Sequence, residues 1–251
     1  MDDPAEFTRL IPQFADLHAL LFASAEKRDQ VRARRDEVYR RHLGDPEISR
    51  VTAAVAEAPD GTVVGFRAGA LYTGSQSLWR DSFGGPLLVP RGDERVPVGD
   101  ATREQWAEKP VPHGLEVAVH PDYQGHGLGR ELAGAWGDAR PGDEEYATGH
   151  IAPTNAPSLS TFRHLGAQII GTRENGRYFY LLPLKGQSRH EVDLEVAAIQ
   201  NDTVGLASAM RGLGDVRDLA QHTSAASHPQ VALPIDRAIE QAVATQHEQG
   251  R

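Results

Sequence analysis

The stretch at residues 114–139 constrains the fold more than any other part of the chain. An apolar strand, Gly114–His120, leads into a glycine-rich turn, and an amphipathic helix follows from about Leu128 to Ala139. Glycines in such a turn let the backbone approach a ligand closely and adopt positive φ. The first turn of the helix offers unpaired N–H groups and the positive end of the helix dipole. This pattern indicates a site for phosphate or pyrophosphate.

Two common phosphate-binding motifs do not fit this turn. A Walker loop ends in Gly-Lys-Ser/Thr, whereas this turn ends in Gly129-Arg130-Glu131. A dinucleotide fingerprint needs Gly-x-Gly-x-x-Gly, whereas Gly125, Gly127 and Gly129 are spaced two and two. The pattern that remains, Gln-x-x-Gly-x-Gly after Val-x-Pro, resembles the acyl-CoA pyrophosphate loop of the GNAT superfamily of N-acetyltransferases.

A second stretch of the sequence strengthens this resemblance. Asn155, Phe162 and the run Leu165-Gly166-Ala167 are spaced as in the family's later motif, in which an Asn opens a helix that ends in an aromatic residue followed by Leu-Gly. The resemblance covers about residues 10–185 and is strongest over residues 114–167. The strand that normally opens this fold is not evident before the first predicted helix.

The predicted fold class is α/β, with a GNAT-like mixed central β-sheet flanked by helices and a mostly helical C-terminal extension. Residues 1–185 are predicted to form the acyltransferase domain, and residues 186–251 the extension, which either caps the sheet, mediates dimerisation or frays. Two helices are predicted within residues 7–43. The first has an apolar stripe at Leu10, Phe14, Leu17, Leu21 and Phe22. The second is heavily charged, with its Arg cluster expected on a solvated face and Val31, Val38 and Leu43 as its buried points. Turn signals and periodicity also predict the hairpin Val51–Glu57 with Thr62–Leu71, the strand Tyr146–Ile151, the helix Pro157–Leu165, the hairpin Gln168–Thr172 with Tyr178–Leu184, an apolar stretch Val192–Ile199, and helices near Asp202–Gln221 and Ile235–His247.

Residues 73–112 are rich in Gly, Pro, Ser and charge, which predicts a long loop or insertion with a short helix at Thr102–Glu108. Trp79, Phe83 and Trp106 are unusual in a segment without structure. They either form a lid over the substrate or anchor the insertion.

The resemblance implies acetyl-CoA as co-substrate, and the spacing of the histidines predicts no metal. The resemblance also implies that the strand backbone pairs with the pantetheine arm, and that the Val119 N–H polarises the thioester oxygen. The turn then holds the pyrophosphate with help from the charge of Arg130, and the later helix touches the CoA arm from the opposite side. The implied cofactor-binding residues are Val117, Ala118, Val119, Gln124, Gly125, His126, Gly127, Leu128, Gly129, Arg130, Asn155, Ser158 and Phe162.

Glu116 and His150 are the candidate catalytic residues. The family's reaction is direct attack of a neutral amine on the acetyl thioester, and free amines are mostly protonated near neutral pH, so a base or a proton-relaying water assists. Glu116 lies in an apolar strand, where burial is expected to raise its pKa; the alternative places its side chain against a helix end or solvent. His150 is the second candidate, the alternative being a hydrogen-bonded histidine at a strand end. His113 is a weaker candidate.

Phe162 departs from the family pattern, because many relatives carry Tyr there and its hydroxyl protonates the departing thiolate. Ser158, Ser160, Tyr178 or water replaces that donor, or CoA leaves as a thiolate. The departure keeps open a catalytically silent acyl-CoA-binding module. Transfer of a longer acyl group is a further alternative, which depends on the depth of the pocket at the acyl end.

Composition limits the partners. The chain has no Cys, which excludes disulfides, thiolate catalysis and Cys-based zinc sites. His120 and His126 lack the spacing of a metal site. A net charge of −9 argues against a nucleic-acid surface. Without a membrane-length apolar run or a signal pattern, the chain is predicted to be cytoplasmic with no membrane partner. A small-molecule or peptide amine is the predicted substrate, and a homodimer through the extension is one option.

Overall fold

The computed structural model describes residues 3–73, 85–91, 93–108, 110–139, 144, 146–184 and 189–201. Within these residues, eight strands form a mixed sheet flanked by helices, which confirms the predicted fold class. The helices predicted near 202–221 and 235–247 lie outside the described residues, and the domain boundaries at 185 and 186 stay a prediction. The helices are α1 (Pro4–Phe22), α2 (Arg28–Leu43), α3 (Asp100–Ala107), α4 (Leu128–Asp138), α5 (Ala156–His164) and α6 (Arg189–Asn201), and the strands are β1 (Ile48–Glu57), β2 (Val63–Tyr72), β3 (Leu87–Arg91), β4 (Glu94–Pro97), β5 (Val111–Val119), β6 (Tyr146–Ile151), β7 (Gln168–Arg173) and β8 (Tyr178–Pro183).

The chain divides into two compact units, and the first contains α1, α2, β1, β2, β5 and α4. Its strands follow the order β1-β2-β5, and both pairs are antiparallel. An aromatic cluster packs α1 and α2 on these strands, with Phe14 stacked on Phe66 at 4.2 Å between ring centroids. Phe7 and Tyr39 complete the cluster and are fully buried. The predicted hairpin and the predicted helix pair of this unit are confirmed.

Helix α1 begins at an ordinary cap, because the Asp3 side chain accepts a hydrogen bond from the Ala5 N–H. Its buried residues recur every three to four positions, as the sequence predicted for Leu10, Phe14 and Leu17. Phe22, also placed in that stripe, is instead 57% exposed. Phe22 is the last residue of the helix, whereas Leu20 and Leu21 before it still pack against the core.

Helix α2 differs from the prediction in what it buries. Tyr39 is its buried residue, whereas Val31, Val38 and Leu43 are only half-buried. The helix is so polar that it has no broad apolar face, and Tyr39 and Arg35, one turn apart, point together at a polar group on the sheet. Its Arg residues are therefore not all on a solvated face.

The second unit contains β3, β4, α3, α5, β7, β8, α6 and most of β6. Strands β8, β7, β3 and β4 are neighbours in that order, and β7 and β8 form the predicted hairpin. Strands β3 and β4 lie within the predicted insertion and were not predicted. Both strands are short and contain a proline, Pro90 or Pro97, which argues against a strand in a sequence pattern.

Trp106 lies on α3, close to the predicted helix at 102–108, and is fully buried. Its indole N–H donates to the carboxylate of Glu195 on α6. This contact supports the anchoring role for Trp106, while Trp79 and Phe83 lie outside the described residues. The apolar stretch of the predicted extension forms α6, where Val192, Val196 and Ile199 are buried one turn apart.

In the described part of the chain, we find no helix with the length and apolarity needed to cross a bilayer.

Candidate active site

The turn after β5 is built by local interactions within the first unit. His120 accepts a hydrogen bond from the Asp122 N–H at 3.3 Å and begins a short 3-10 turn at Pro121–Tyr123. The Gln124 side-chain amide then donates to the Val119 carbonyl at 2.8 Å, which folds the chain back on the end of the strand. Each of these residues therefore shapes the turn without contributing to the core.

Gly125 and Gly127 follow with φ of +81° and +83°, a left-handed conformation that L side chains rarely adopt. Gly127 is the N-cap of α4, and it has no side chain with which to cap the helix. The amide groups at the start of α4 therefore face an exposed turn without a capping side chain, which is the arrangement that binds anions at helix N-termini.

A cationic side chain covers this helix start. A Cβ built on Gly127 would lie 3.6 Å from an Arg130 guanidinium nitrogen, so the guanidinium lies over the turn. A Cβ on Gly129 would lie 3.8 Å from Val119 and 3.9 Å from Val117, so α4 packs closely on β5. The charge of Arg130 adds to the helix dipole at the same place.

The backbone N–H groups at the end of β5 point alternately toward β2 and away from it. The His120 N–H donates to the Val64 carbonyl of β2 at 2.8 Å. Because successive N–H groups of a strand alternate in direction, the Val119 N–H points away from β2. The Val119 N–H therefore does not pair with β2, which its implied role at the thioester oxygen requires. Ala118 is buried, whereas Val117 and Val119 are half-buried.

Glu116 lies at the centre of a polar network inside the first unit. Its side chain is only 6% exposed, and the carboxylate contacts three donors from two helices. His18 Nδ1 lies 2.6 Å from Oε1, and the Tyr39 hydroxyl donates to Oε2 at 2.6 Å. The Arg35 guanidinium donates to Oε2 as well. Neither alternative predicted for this side chain, a helix end or solvent, matches this arrangement.

The pKa of Glu116 is lowered overall, not raised as the sequence predicted. Burial raises the pKa of Glu116, but the hydrogen bond from His18 and the charges of Arg35 and His18 outweigh it, so the pKa lies below its ordinary value. Burial and the charge of Glu116 raise the pKa of Tyr39. Glu116 is therefore an ionised acceptor, and Tyr39 a neutral donor, across the physiological pH range.

His150 lies on β6 in a cationic part of the second unit. Its Nε2 accepts a hydrogen bond from Arg173 Nε at 3.0 Å. Burial lowers the pKa of His150 to about 3, and the charges of Arg173 and Arg177 act in the same direction. This arrangement favours a hydrogen-bonded strand histidine over a catalytic base, because Nε2 already accepts a hydrogen bond from Arg173.

Substitution of His150 is expected to make folding less sensitive to acid. The folded-state pKa is depressed, so the unfolded chain takes up the proton first, and stability is lost as the pH falls from about 6.5 toward 3. Between pH 8 and pH 5 this amounts to about 2 kcal/mol. Urea denaturation of the parent chain and of His150→Gln at both pH values measures it. An equal loss in both proteins would contradict the assignment.

The later motif forms the start of α5 in the second unit. Asn155 is the N-cap, and its side-chain oxygen accepts from the Ser158 N–H at 3.1 Å. Phe162 is buried on the same helix, with its ring 4.7 Å from that of Tyr180. Tyr178, one of the predicted alternative acids, has its pKa raised by burial and so keeps its proton near neutral pH.

The sequence analysis did not identify three members of the Glu116 network: His18, Arg35 and Tyr39. Their separation from Glu116, 77 to 98 residues along the chain, leaves no local spacing to detect. One feature of the sequence could have indicated these partners. Arg35 and Tyr39 lie one helical turn apart on α2, and α1 and α2 cover strands that include the carboxylate of Glu116. That signal is weak, because α2 carries many other Arg residues.

The described residues of the first unit also form an open cavity of about 410 Å³, which falls in the size range of small-molecule sites. The ion pair of Asp16 with Arg32 at 2.7 Å lies at its wall, beside Leu20, Val63 and His120. No group of three or more potential metal-ligating side chains occurs in the part of the chain that the structure describes.

Comparisons with solved structures find many similar chains. The Arabidopsis thaliana protein NAA60, solved with a bisubstrate analogue, is 12% identical with a TM-score of 0.42, over 74% of this chain and 97% of that one. The yncA protein of Salmonella typhimurium, solved with acetyl-CoA, is 22% identical with a TM-score of 0.40, over 74% and 92%. A phosphinothricin acetyltransferase from Sinorhizobium meliloti, solved with acetyl-CoA, is 15% identical with a TM-score of 0.43, over 75% and 89%. A search of the curated proteins finds no match.

The sequence model of the Acetyltransferase (GNAT) family matches residues 14–167. The match includes the central strand, the turn with its left-handed glycines, and the later motif from Asn155 to Phe162. It spans more than half of the chain and confirms the resemblance drawn from the motifs. The chain therefore belongs to the GNAT family of acetyltransferases.

Proposed function

We propose that the chain transfers an acetyl group from acetyl-CoA to an amine of a small molecule or peptide, by direct attack of the amine on the thioester. The observation that carries the proposal is the turn after β5, where Gly125 and Gly127 adopt positive φ at an uncapped helix start beneath Arg130. A pyrophosphate needs this combination of close backbone approach, amide donors and positive charge.

The proposed cofactor contacts follow the order of the chain. The backbone of Val117–Val119 pairs with the pantetheine arm, and the Val119 N–H polarises the thioester oxygen. Backbone amides from Gln124 to Gly129 hold the pyrophosphate. Support for the first role comes from the direction of the Val119 N–H, away from β2. The start of α5, with Asn155 and Ser158, is proposed to touch the CoA arm.

In this proposal, protonation of the departing CoA thiolate does not require a tyrosine at position 162. Phe162 is buried against Tyr180 and has no proton to donate. CoA thiolate is a fair leaving group, since thiols have pKa values near 8.5, so water at the mouth of the site protonates it after it leaves. Glu116 and His150 stay the candidate bases, and the geometry favours Glu116 acting through its partners.

Acetyl transfer is expected with at least one member of an amine panel containing an aminoglycoside, a polyamine, an amino acid and a peptide N-terminus. Release of free CoA above the buffer rate measures it, with amine-free reactions as the control. We expect Glu116→Gln to reduce the rate strongly, because it removes the charge that Arg35 and His18 contact. Parallel reactions with propionyl-CoA and butyryl-CoA test the alternative of a longer acyl group.

The alternative of a silent acyl-CoA-binding module rests on the absence of the usual tyrosine at Phe162. It predicts that acetyl-CoA binds and that no amine in the panel releases CoA. Turnover that disappears in Glu116→Gln or in His150→Ala would exclude this alternative. Turnover that both variants retain in full would instead exclude both residues as the base.

A further inference from the structure

The Glu116 network contains one side chain that both reaches solvent and can accept a proton. Glu116 is 6% exposed, and its carboxylate already contacts three donors. Tyr39 is fully buried and donates its own proton. Arg35 is 22% exposed, but a guanidinium does not lose its proton in proteins. That leaves His18, whose side chain is 21% exposed.

The contact with Glu116 fixes which nitrogen of His18 carries the proton. An ionised carboxylate only accepts hydrogen bonds, so His18 Nδ1, at 2.6 Å from Oε1, is the donor. In the neutral imidazole the lone pair then lies on Nε2, at the opposite edge of the ring. A carboxylate placed behind a histidine in this way orients the ring and stabilises the imidazolium that forms when Nε2 takes up a proton.

The surroundings of the ring are consistent with access from outside. Phe22, the neighbour of His18 one turn along α1, lies 4.8 Å away between ring centroids and is 57% exposed. The charged and titratable groups that α2 and β5 direct toward this network are Arg35, Tyr39 and Glu116. Arg35 and Glu116 carry opposite charges and offset each other beside the ring.

We propose that His18 is the group that takes the proton from the acceptor amine, and that Glu116 is its positioning residue. The inference rests on the proposed acetyl transfer. As the amine nitrogen attacks the carbonyl carbon, the C–N bond forms and the C–S bond breaks, and the electron pair leaves on sulfur. His18 Nε2 takes the proton from nitrogen and later gives it to water, while the CoA thiolate takes its proton from solvent.

Kinetics of His18→Asn separate proton transfer from structure. The Asn amide nitrogen replaces Nδ1 and still donates to Glu116, but the side chain has no basic nitrogen. We expect kcat to fall about 100-fold or more, within the usual range for loss of a general base, with little change in the KM for acetyl-CoA. His42→Asn is the matched control, since His42 lies in the same unit and its Nδ1 contacts the Val38 carbonyl of its own helix rather than Glu116. It is expected to keep kcat.

The pH profile of kcat provides the readout that a structural role would not change. The parent chain and His42→Asn should lose activity on acidification, whereas His18→Asn should lack this loss. Nitrogen NMR of the free protein should also show His18 protonated at Nδ1 when neutral. A kcat within threefold of the parent, an unchanged pH profile, or a neutral His18 protonated at Nε2 would each overturn the inference.

The parent chain itself separates this inference from the proposed function. If it turns over no amine in the panel, acetyl transfer fails and the role of His18 fails with it. If it turns over an amine and His18→Asn does so equally well, only the role of His18 is overturned. Thermal unfolding of each variant verifies that the compared proteins are folded.

Discussion

Replacement of Gly127 by valine is expected to abolish acetyl-CoA binding while the rest of the domain stays folded. Gly127 has a φ of +83°, and a β-branched residue there is strained by about 1–2 kcal/mol. The added side chain also projects into the place where a phosphate would approach the amides of α4, 3.6 Å from the Arg130 guanidinium. Loss of these contacts leaves the pyrophosphate without amide donors, so we expect affinity to fall more than 100-fold.

A matched glycine separates the backbone effect from the ligand effect. Gly61 has the same φ of +83° in the hairpin turn of the first unit, and a Cβ built there has nothing within 4 Å. Gly61→Val is therefore expected to cost a similar backbone strain and to leave the Kd for acetyl-CoA unchanged. Titration calorimetry of both variants measures the difference. Equal affinity of Gly127→Val and the parent chain would contradict the assignment of the turn.

Replacement of Glu116 by alanine is expected to destabilise the domain by about 3–5 kcal/mol, because it leaves Arg35 and His18 as donors without their buried carboxylate. The pair Glu37 with Arg41, at 2.8 Å, provides the control, since both side chains are 70% exposed. Glu37→Ala is expected to change the free energy of unfolding by less than about 1 kcal/mol. Urea denaturation at neutral pH measures both changes.

A double variant shows whether the loss comes from the broken pair. If Arg35→Leu and Glu116→Leu are combined, neither charge is left unpartnered, so part of the stability lost in Glu116→Leu alone should return. Strictly additive losses would mean that the two side chains do not interact energetically. The same variants should lose acetyl transfer, because no carboxylate then orients His18.

The turn after β5 was predictable because its interactions are local. The order of strand, proline, glycines and helix is written in consecutive residues, and Gly125 and Gly127 have the positive φ that the pattern required. The later motif was predictable for the same reason, since Asn155 caps its own helix. Family membership followed from these two stretches together.

The chemistry around Glu116 was not predictable, because it depends on contacts between distant segments. Burial alone raises the pKa of a carboxylate, and the sequence shows only that the strand is apolar. The partners that reverse the direction come from α1 and α2, and His18 sits on a helix whose pattern indicates only a core-facing stripe. Strands β3 and β4 were not predicted because each contains a proline, which is unfavourable in a strand. Their pairing with each other outweighs this effect, and that pairing is visible only in the structure.

Calorimetric titration of the purified chain with acetyl-CoA, with NADH and ATP as controls, tests the central claim most directly. The turn with Gly125, Gly127 and Arg130 predicts selective binding of acetyl-CoA in the micromolar range. ATP and NADH also carry phosphates but lack the pantetheine arm, so they should bind at least tenfold more weakly. Absence of acetyl-CoA binding, or equal binding of all three ligands, would contradict an acyl-CoA site in this chain.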